Sequence, residues 1–255
     1  MTDGAILLAG CGNMGGAMLA GWLRGGLDPA RFTVLDPALA AVPAGVTLRR
    51  EPGGGPFATV VLGIKPQALD EAAPALAPLT AGATVISMLA GVRLARLAAL
   101  FPDAAAHLRV MPNLAAEIGL APIGLAGAED PAVSALMAPL GTPEWVDEAQ
   151  FDLVTALVGS GPAFVYRFLA ALSDGATALG MEAEQARRLA LATVQGAAAL
   201  AAGSNDDPGD LARRVTSPGG TTAAGLAVLD ADDALARLIA ATLRAARDRG
   251  SELAG

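Results

Sequence analysis

The run VTSPGGTT, residues 215–222, sets two threonines directly behind a Ser-Pro-Gly-Gly turn. Pro218, Gly219 and Gly220 put flexible backbone before a helix start, and adjacent N–H groups at such a start can hold an anion. A carboxylate ligand would suit the site; an ordinary Ser/Thr helix cap is the alternative. A second run, GCGNMG, residues 10–15, follows the apolar stretch Ala5–Ala9 and precedes helix-forming sequence through Arg24. In such a strand–turn–helix context Gly10 permits the tight turn. Gly12 lets backbone approach a pyrophosphate, and Gly15 lets helix and strand pack closely. Cys11, Asn13 and Met14 complete that turn. The alternative is a purely structural glycine turn.

Further candidates follow the same logic. Asp36 ends the apolar run Phe32–Leu35, where a carboxylate accepts a ribose 2′-OH and repels a 2′-phosphate, which favours NAD. Arg49 and Arg50 could offset it or be solvated surface arginines. Gly63, Ile64, Lys65 and Pro66 close VVLGIKPQ at a strand's carboxyl end, where open α/β sheets bind ligands. Lys65, the sole lysine, could contact a cofactor or simply snorkel into water. Leu89, Ala90 and Gly91 offer small residues for the approach of a nicotinamide, and RVMPN ends the next strand at Asn113. His107 is the only histidine and Cys11 the only cysteine, so a multi-histidine or multi-cysteine metal site is excluded. ILLAGC also looks like a lipoprotein signal, but no basic residue precedes it and the apolar run is too short. A lone cysteine with no internal disulfide partner suits a reducing cytoplasm.

Elements must hold these residues in place. Candidate strands are Ala5–Ala9, Phe32–Leu35, Val46–Leu48, Thr59–Leu62, Thr84–Ser87 and Leu108–Met111, several nearly continuously apolar, as in parallel strands covered on both faces. Helical stretches such as Pro66–Ala77 and Leu94–Leu100 lie between most of them, giving the βαβ pattern of a doubly wound sheet. Gly141–Glu144 marks a break. From Phe151 the strand signals end. GPAFVYRFLAALSDGATALG, residues 161–180, is apolar on nearly every helical face, so it must be buried. Further helices are expected over Glu182–Ala202, to Leu229, and from about Asp232 to Leu253. The expected fold is therefore α/β, a Rossmann-like doubly wound sheet over 1–146, plus an all-α domain over 151–255. That helical domain is expected to complete its core by self-association.

Of 255 residues, 53% are hydrophobic and 16% charged, enough for a large core. The net charge of −8 argues against nucleic acid, which wants clustered Lys and Arg. No uninterrupted apolar run approaches the roughly 20 residues of a membrane span, so no membrane partner is expected.

The ordered set GCGNMG, GIKPQ, SMLAGV, RVMPN, VTALVGSGPA, VTSPGGTT and RGSEL resembles the pyrroline-5-carboxylate reductase family across essentially the whole chain. The resemblance implies reduction of the small cyclic imine 1-pyrroline-5-carboxylate to L-proline, with NADPH or NADH as donor. It implies a dimer or multiple of dimers. It places Thr222 near the ring nitrogen, and Ser217, Gly219, Gly220 and Thr221 around the substrate carboxylate, with Glu148 as a further substrate contact. It gives residues 10–14, 63–66 and 89–91 to the cofactor. The sequence departs from the family pattern at Leu114, Phe164, Ala170 and Val158, where polar groups or a tyrosine are usual. An iminium substrate needs no strong general acid, which fits the placing of the lone His107 at a strand start rather than at the crevice end. The alternatives are an imine reductase for another cyclic precursor and a non-catalytic nucleotide-binding protein. A hydroxyacid dehydrogenase would need a base, and the helix after GSGPA carries no lysine.

Overall fold

The computed structural model describes residues 4–252; Leu253, the expected end of the last helix, lies outside them. The chain divides into a first unit that runs to Ser160 and takes back the chain from Arg244, and a second, Gly161–Leu243.

The first unit is a sheet of eight strands: β1 (Ile6–Ala9), β2 (Phe32–Leu35), β3 (Thr47–Arg49), β4 (Thr59–Leu62), β5 (Thr84–Ser87), β6 (Ala106–Met111), β7 (Ala121–Gly127) and β8 (Gly141–Trp145). Their order is β3-β2-β1-β4-β5-β6-β7-β8. Every pairing is parallel except β6 with β7. The six expected strands are present, with ends shifted by up to two residues. β7 and β8 were not expected, and the supposed break at Gly141 is the start of β8. Its residues alternate between exposed and half-buried, and it sits at the sheet edge, where Pro143 costs no ladder bond.

The helices of this unit are α1 (Asn13–Arg24), α2 (Leu69–Thr80), α3 (Leu94–Leu100), α4 (Pro131–Met137) and α5 (Phe151–Val154). Strand alternation sorts the core into two layers. Ile6, Leu8, Val34, Val61 and Ile86 face Met18, Leu19 and Trp22 of α1. Leu7, Ala9, Val60, Leu62 and Val85 face Leu69, Ala73 and Leu76 of α2 and Leu97 of α3. Both faces are covered, which is why these strands read as unbroken apolar runs. Trp22 stacks on Phe32 at 5.4 Å and donates its Nε1–H to the Leu136 carbonyl at 2.8 Å. A single π-helical turn, Thr155–Gly159, follows α5. Phe151 and Val158 pack on Met111 and Ala126 of the sheet, so residues 151–160 belong to this unit.

The second unit holds α6 (Gly161–Ala178), α7 (Ala183–Ala202), α8 (Pro208–Arg214), α9 (Thr221–Leu229) and the start of α10 (Ala234–Glu252). Only Ala186 and Ala190 are buried in it, while Val165, Phe168, Leu172 and Leu238 stand exposed. Within the chain the expected burial of 161–180 is not met: α6 has no buried residue.

Candidate functional site

Gly10, Cys11, Gly12 and the first turn of α1 lie at the carboxyl end of β1. Gly10 has φ +87° and its N–H donates to the Leu35 carbonyl at 2.9 Å. An added Cβ there would stand 2.7 Å from the Gly63 carbonyl carbon, so β1 and β4 end in backbone contact. At Gly15 a Cβ would stand 2.9 Å from the Gly10 carbonyl oxygen, which accounts for the close seating of α1 on β1. Gly12 differs. It is the N-cap of α1, no side chain caps it, and a Cβ would meet nothing within 4 Å. The first-turn N–H groups, with the positive end of the helix dipole, thus face open space. That arrangement fits a pyrophosphate.

Asp36 braces the turn. Its Oδ2 accepts the Cys11 N–H at 2.9 Å, and Oδ1 accepts the N–H groups of Ala38 at 2.9 Å and Leu39 at 3.1 Å. Burial pushes its pKa up, but those three N–H groups and the nearby Arg50 guanidinium outweigh it and hold the carboxyl below the ordinary value. Burial, reinforced by Asp36, raises the Cys11 thiol, so Cys11 is a neutral, inert wall of the turn.

The Gly63 N–H donates to the Ala9 carbonyl at 2.7 Å. Ile64 is half-buried and packs on the core, and Lys65 is exposed at the start of the short Pro66–Ala68 turn. Leu89 is buried in the core, so it offers backbone only, while Ala90 and Gly91 line a cleft of about 680 Å³ with Pro66 and Arg93. Asn113 is buried; its Oδ1 accepts the Ala115 N–H at 2.9 Å and its Nδ2 donates to the Val158 carbonyl at 3.1 Å. One amide hydrogen of Asn113 remains for any ligand. In sum, the structure gathers Gly10–Met14, Asp36 and Gly63 at adjoining strand ends.

Glu148 also belongs to the first unit. Its Oε1 accepts the Leu94 N–H at 2.6 Å and stands 3.5 Å from Arg109 Nη1. One oxygen of this expected substrate contact is therefore committed to the start of α3. Sequence reasoning missed Arg109. Its guanidinium is 1% exposed, lies 4.1 Å over the Phe151 ring, and leaves Nε and Nη2 without hydrogen-bond partners among the described residues. Burial lowers its pKa, against the attraction of Glu148 and Asp152. The one visible signal was an arginine inside the otherwise apolar run LRVM.

In the second unit the Ser217–Gly220 turn is closed by the Gly220 N–H donating to the Ser217 carbonyl at 3.0 Å, with Gly219 at φ +70°. Gly220 is the N-cap of α9 and no side chain caps that helix. The ordinary Ser/Thr cap is thereby absent, and the first-turn N–H groups beside Thr221 and Thr222 are available to an anion.

The chain is 34% identical to the pyrroline-5-carboxylate reductase of Pseudomonas aeruginosa over its whole length and 98% of that relative. The chain belongs to the pyrroline-5-carboxylate reductase family. A solved pyrroline-5-carboxylate reductase from Coxiella burnetii shares the fold with a TM-score of 0.91 at 30% identity, covering 99% of both chains. The Plasmodium falciparum pyrroline carboxylate reductase, crystallised with NADP bound, has a TM-score of 0.87 at 21% identity over both full chains, which speaks to fold alone. Residues 148–253 match the pyrroline-5-carboxylate reductase dimerisation family. That match indicates self-association, and the exposed apolar side chains of α6 are its physical counterpart.

One sequence expectation needs correcting. Glu148–Ala178 forms a helical run of 31 residues that is long and apolar enough, by length and composition, to cross a membrane, with 11% of its apolar window buried. Counting uninterrupted apolar runs missed it because polar residues such as Asp152, Ser160 and Arg167 interrupt the letters, and Ser160 separates the π-helical turn from α6. The run lies within the dimerisation match, which supplies another cover for the same surface.

Proposed function

We propose that this protein reduces 1-pyrroline-5-carboxylate to L-proline, the last step of proline synthesis, with NADPH as donor and NADH as a possible second. The bound nicotinamide supplies the hydride. The protein's own part is to hold two anions and orient one ring. The open first turn of α1 behind Gly12 takes the pyrophosphate, and Ala90 and Gly91 leave room for a flat ring. The uncapped start of α9 takes the substrate carboxylate through the Thr221 N–H and its neighbours in the first turn, while Ser217, Gly219 and Gly220 shape the turn that presents them. The Thr222 hydroxyl orients the ring nitrogen. When the substrate is the iminium, its nitrogen already carries the proton; hydride addition at the imine carbon yields the neutral secondary amine, which takes its second proton from water. Orientation is then the main source of rate. The absence of a histidine or lysine from the 217–222 loop agrees with this.

The single observation that carries the reading is the uncapped helix start behind the Ser217–Gly220 turn, in a chain that matches a reductase from end to end. The polar groups missing at Leu114 and Ala170 keep a reductase for a different cyclic imine as the second reading. Oxidation of NADPH and NADH should be followed with the five-membered imine and with its six-membered homologue. Rapid turnover of the five-membered ring is the expected result. Cofactor binding without turnover of either would refute it. A cytoplasmic dimer, or multiple of dimers, fits the buried free Cys11 and the exposed helical surface.

A further inference from the structure

The adenosine end of the crevice carries charges whose partners only the structure reveals. Asp36 directly follows β2; Arg49 ends β3, the neighbouring strand, and Arg50 follows it. Leu35 pairs with Arg49 across the ladder, and the Asp36 N–H donates to the Arg49 carbonyl at 3.0 Å. These side chains therefore leave adjacent strand ends on the ligand side of the sheet.

Two of the three are occupied. The Asp36 oxygens accept three backbone N–H groups, so the carboxylate serves the turn as much as any ribose. Arg50 donates to the carbonyls of Pro37 at 3.0 Å and of Asp36 and Ala40 at 3.5 Å, which clamps the loop after β2. Its charge is the one that acts on Asp36. Arg49 is different. Its side chain is exposed, and its guanidinium makes no hydrogen bond or ion pair among the described residues. It is nevertheless placed. It lies flat against the loop Gly53–Gly54–Gly55: a Cβ on Gly54 would stand 3.1 Å from Arg49 Cζ and Nη2, and Gly54 has φ +85°. The glycine run thus makes room for a planar cation and offers it no acceptor side chain. The next residue, Glu51, is also exposed and forms no ion pair with it.

We infer that Arg49 is the specificity-determining residue for the cofactor: it receives the 2′-phosphate of NADPH, while Asp36 and Arg50 build the turn beside it. A planar guanidinium with free N–H groups matches phosphate in a bidentate way that no other side chain here can supply. This inference rests on the reading of the crevice as a dinucleotide site.

The test is calorimetric binding of NADP⁺ and NAD⁺, and of 2′,5′-ADP against 5′-AMP, to the wild-type protein, Arg49→Gln and Arg49→Lys. The wild type should bind the 2′-phosphorylated member of each pair at least about tenfold more tightly, as expected for a charged hydrogen-bonding partner. Arg49→Gln should abolish that ratio and move NAD⁺ less than about twofold, since the residue faces only the extra phosphate. Arg49→Lys should keep part of the ratio, because it retains the charge and loses the fork. A ratio that survives Arg49→Gln, or a wild type that prefers NAD⁺, overturns the inference while leaving the reductase reading intact. Failure of the wild type to bind either dinucleotide overturns the reading of the crevice, and this inference with it.

Discussion

Gly10 and Gly12 lie two residues apart in one turn, yet alanine should act on them in opposite ways. At Gly10 alanine must adopt φ +87°, which costs roughly 1–2 kcal/mol for an L-residue. Its Cβ must also stand 2.7 Å from backbone atoms of Gly63 and Ile64, and such overpacking costs about 1–3 kcal/mol. The sum, about 2–5 kcal/mol, converts to a fall in Tm of roughly 4–20 °C for a chain of this size. At Gly12 φ is −70° and ψ −161°, open to alanine, and the Cβ meets no protein atom within 4 Å. Losing glycine from this helix N-cap costs at most about 1 kcal/mol, or roughly 4 °C. What the new methyl does meet is whatever anion sits on the first turn of α1. Cofactor affinity should fall at least about tenfold, some 1.4 kcal/mol. Thermal unfolding and calorimetric titration with NADP⁺, run on both variants, separate the two effects. A Gly12→Ala protein that binds cofactor like the wild type would refute the assignment of that turn. A Gly12→Ala protein as unstable as Gly10→Ala would refute the geometric argument.

Other perturbations follow from the same contacts. Asp36→Asn should cost stability at neutral pH. Because the native pKa lies below the ordinary 3.8, the wild-type advantage is fully present above that value and fades as pH falls through the native one. Denaturant midpoints of both proteins between pH ~7 and ~3 read it, and a constant gap would contradict it. Arg109→Lys should destabilise by about 3 kcal/mol, since a buried ammonium loses both the single Nη1 contact with Glu148 and the stacking on Phe151. Arg109→Met should cost less, because it leaves no buried charge; the reverse order in urea melts would show that the guanidinium earns its place through unseen partners. Phe168→Asp, on the exposed face of α6, should shift sedimentation towards the monomer, and an unchanged assembly would remove that face from the interface. Thr222→Val should lower turnover about tenfold with cofactor binding untouched, and an unchanged rate would exclude its hydroxyl from the chemistry.

The parts of the fold that were legible in sequence are those where one residue type has one physical reason to be there. Ile6–Ala9 is unbroken because both faces of β1 are covered; after it, Gly10 is required by backbone contact with Gly63 and Gly15 by the nearby Gly10 carbonyl. β7 was hidden because APIGLAG mixes small residues with a proline. β8 was hidden because GTPEW carries Pro143 and Glu144, which only an edge strand tolerates. The partners of Arg109 could not be read either: Glu148 is 39 positions away, and nothing local marks the pair. Likewise the sequence leaves Arg49 and Arg50 alike, phosphate partners or solvated surface arginines, until Gly54 is found beneath the Arg49 guanidinium. In both cases the meaning of an arginine depends on what the chain brings to it from elsewhere.

The second unit buries only two alanines of its own, and this changes how it can evolve. In a twofold assembly every substitution is present twice, so a change costing about 1 kcal/mol at one copy of α6 is charged at about 2 kcal/mol to the pair. A mutant chain made beside the normal one would spread that penalty into mixed pairs. Selection on this helix therefore falls on couples of chains, and a single faulty allele can reach beyond its own product.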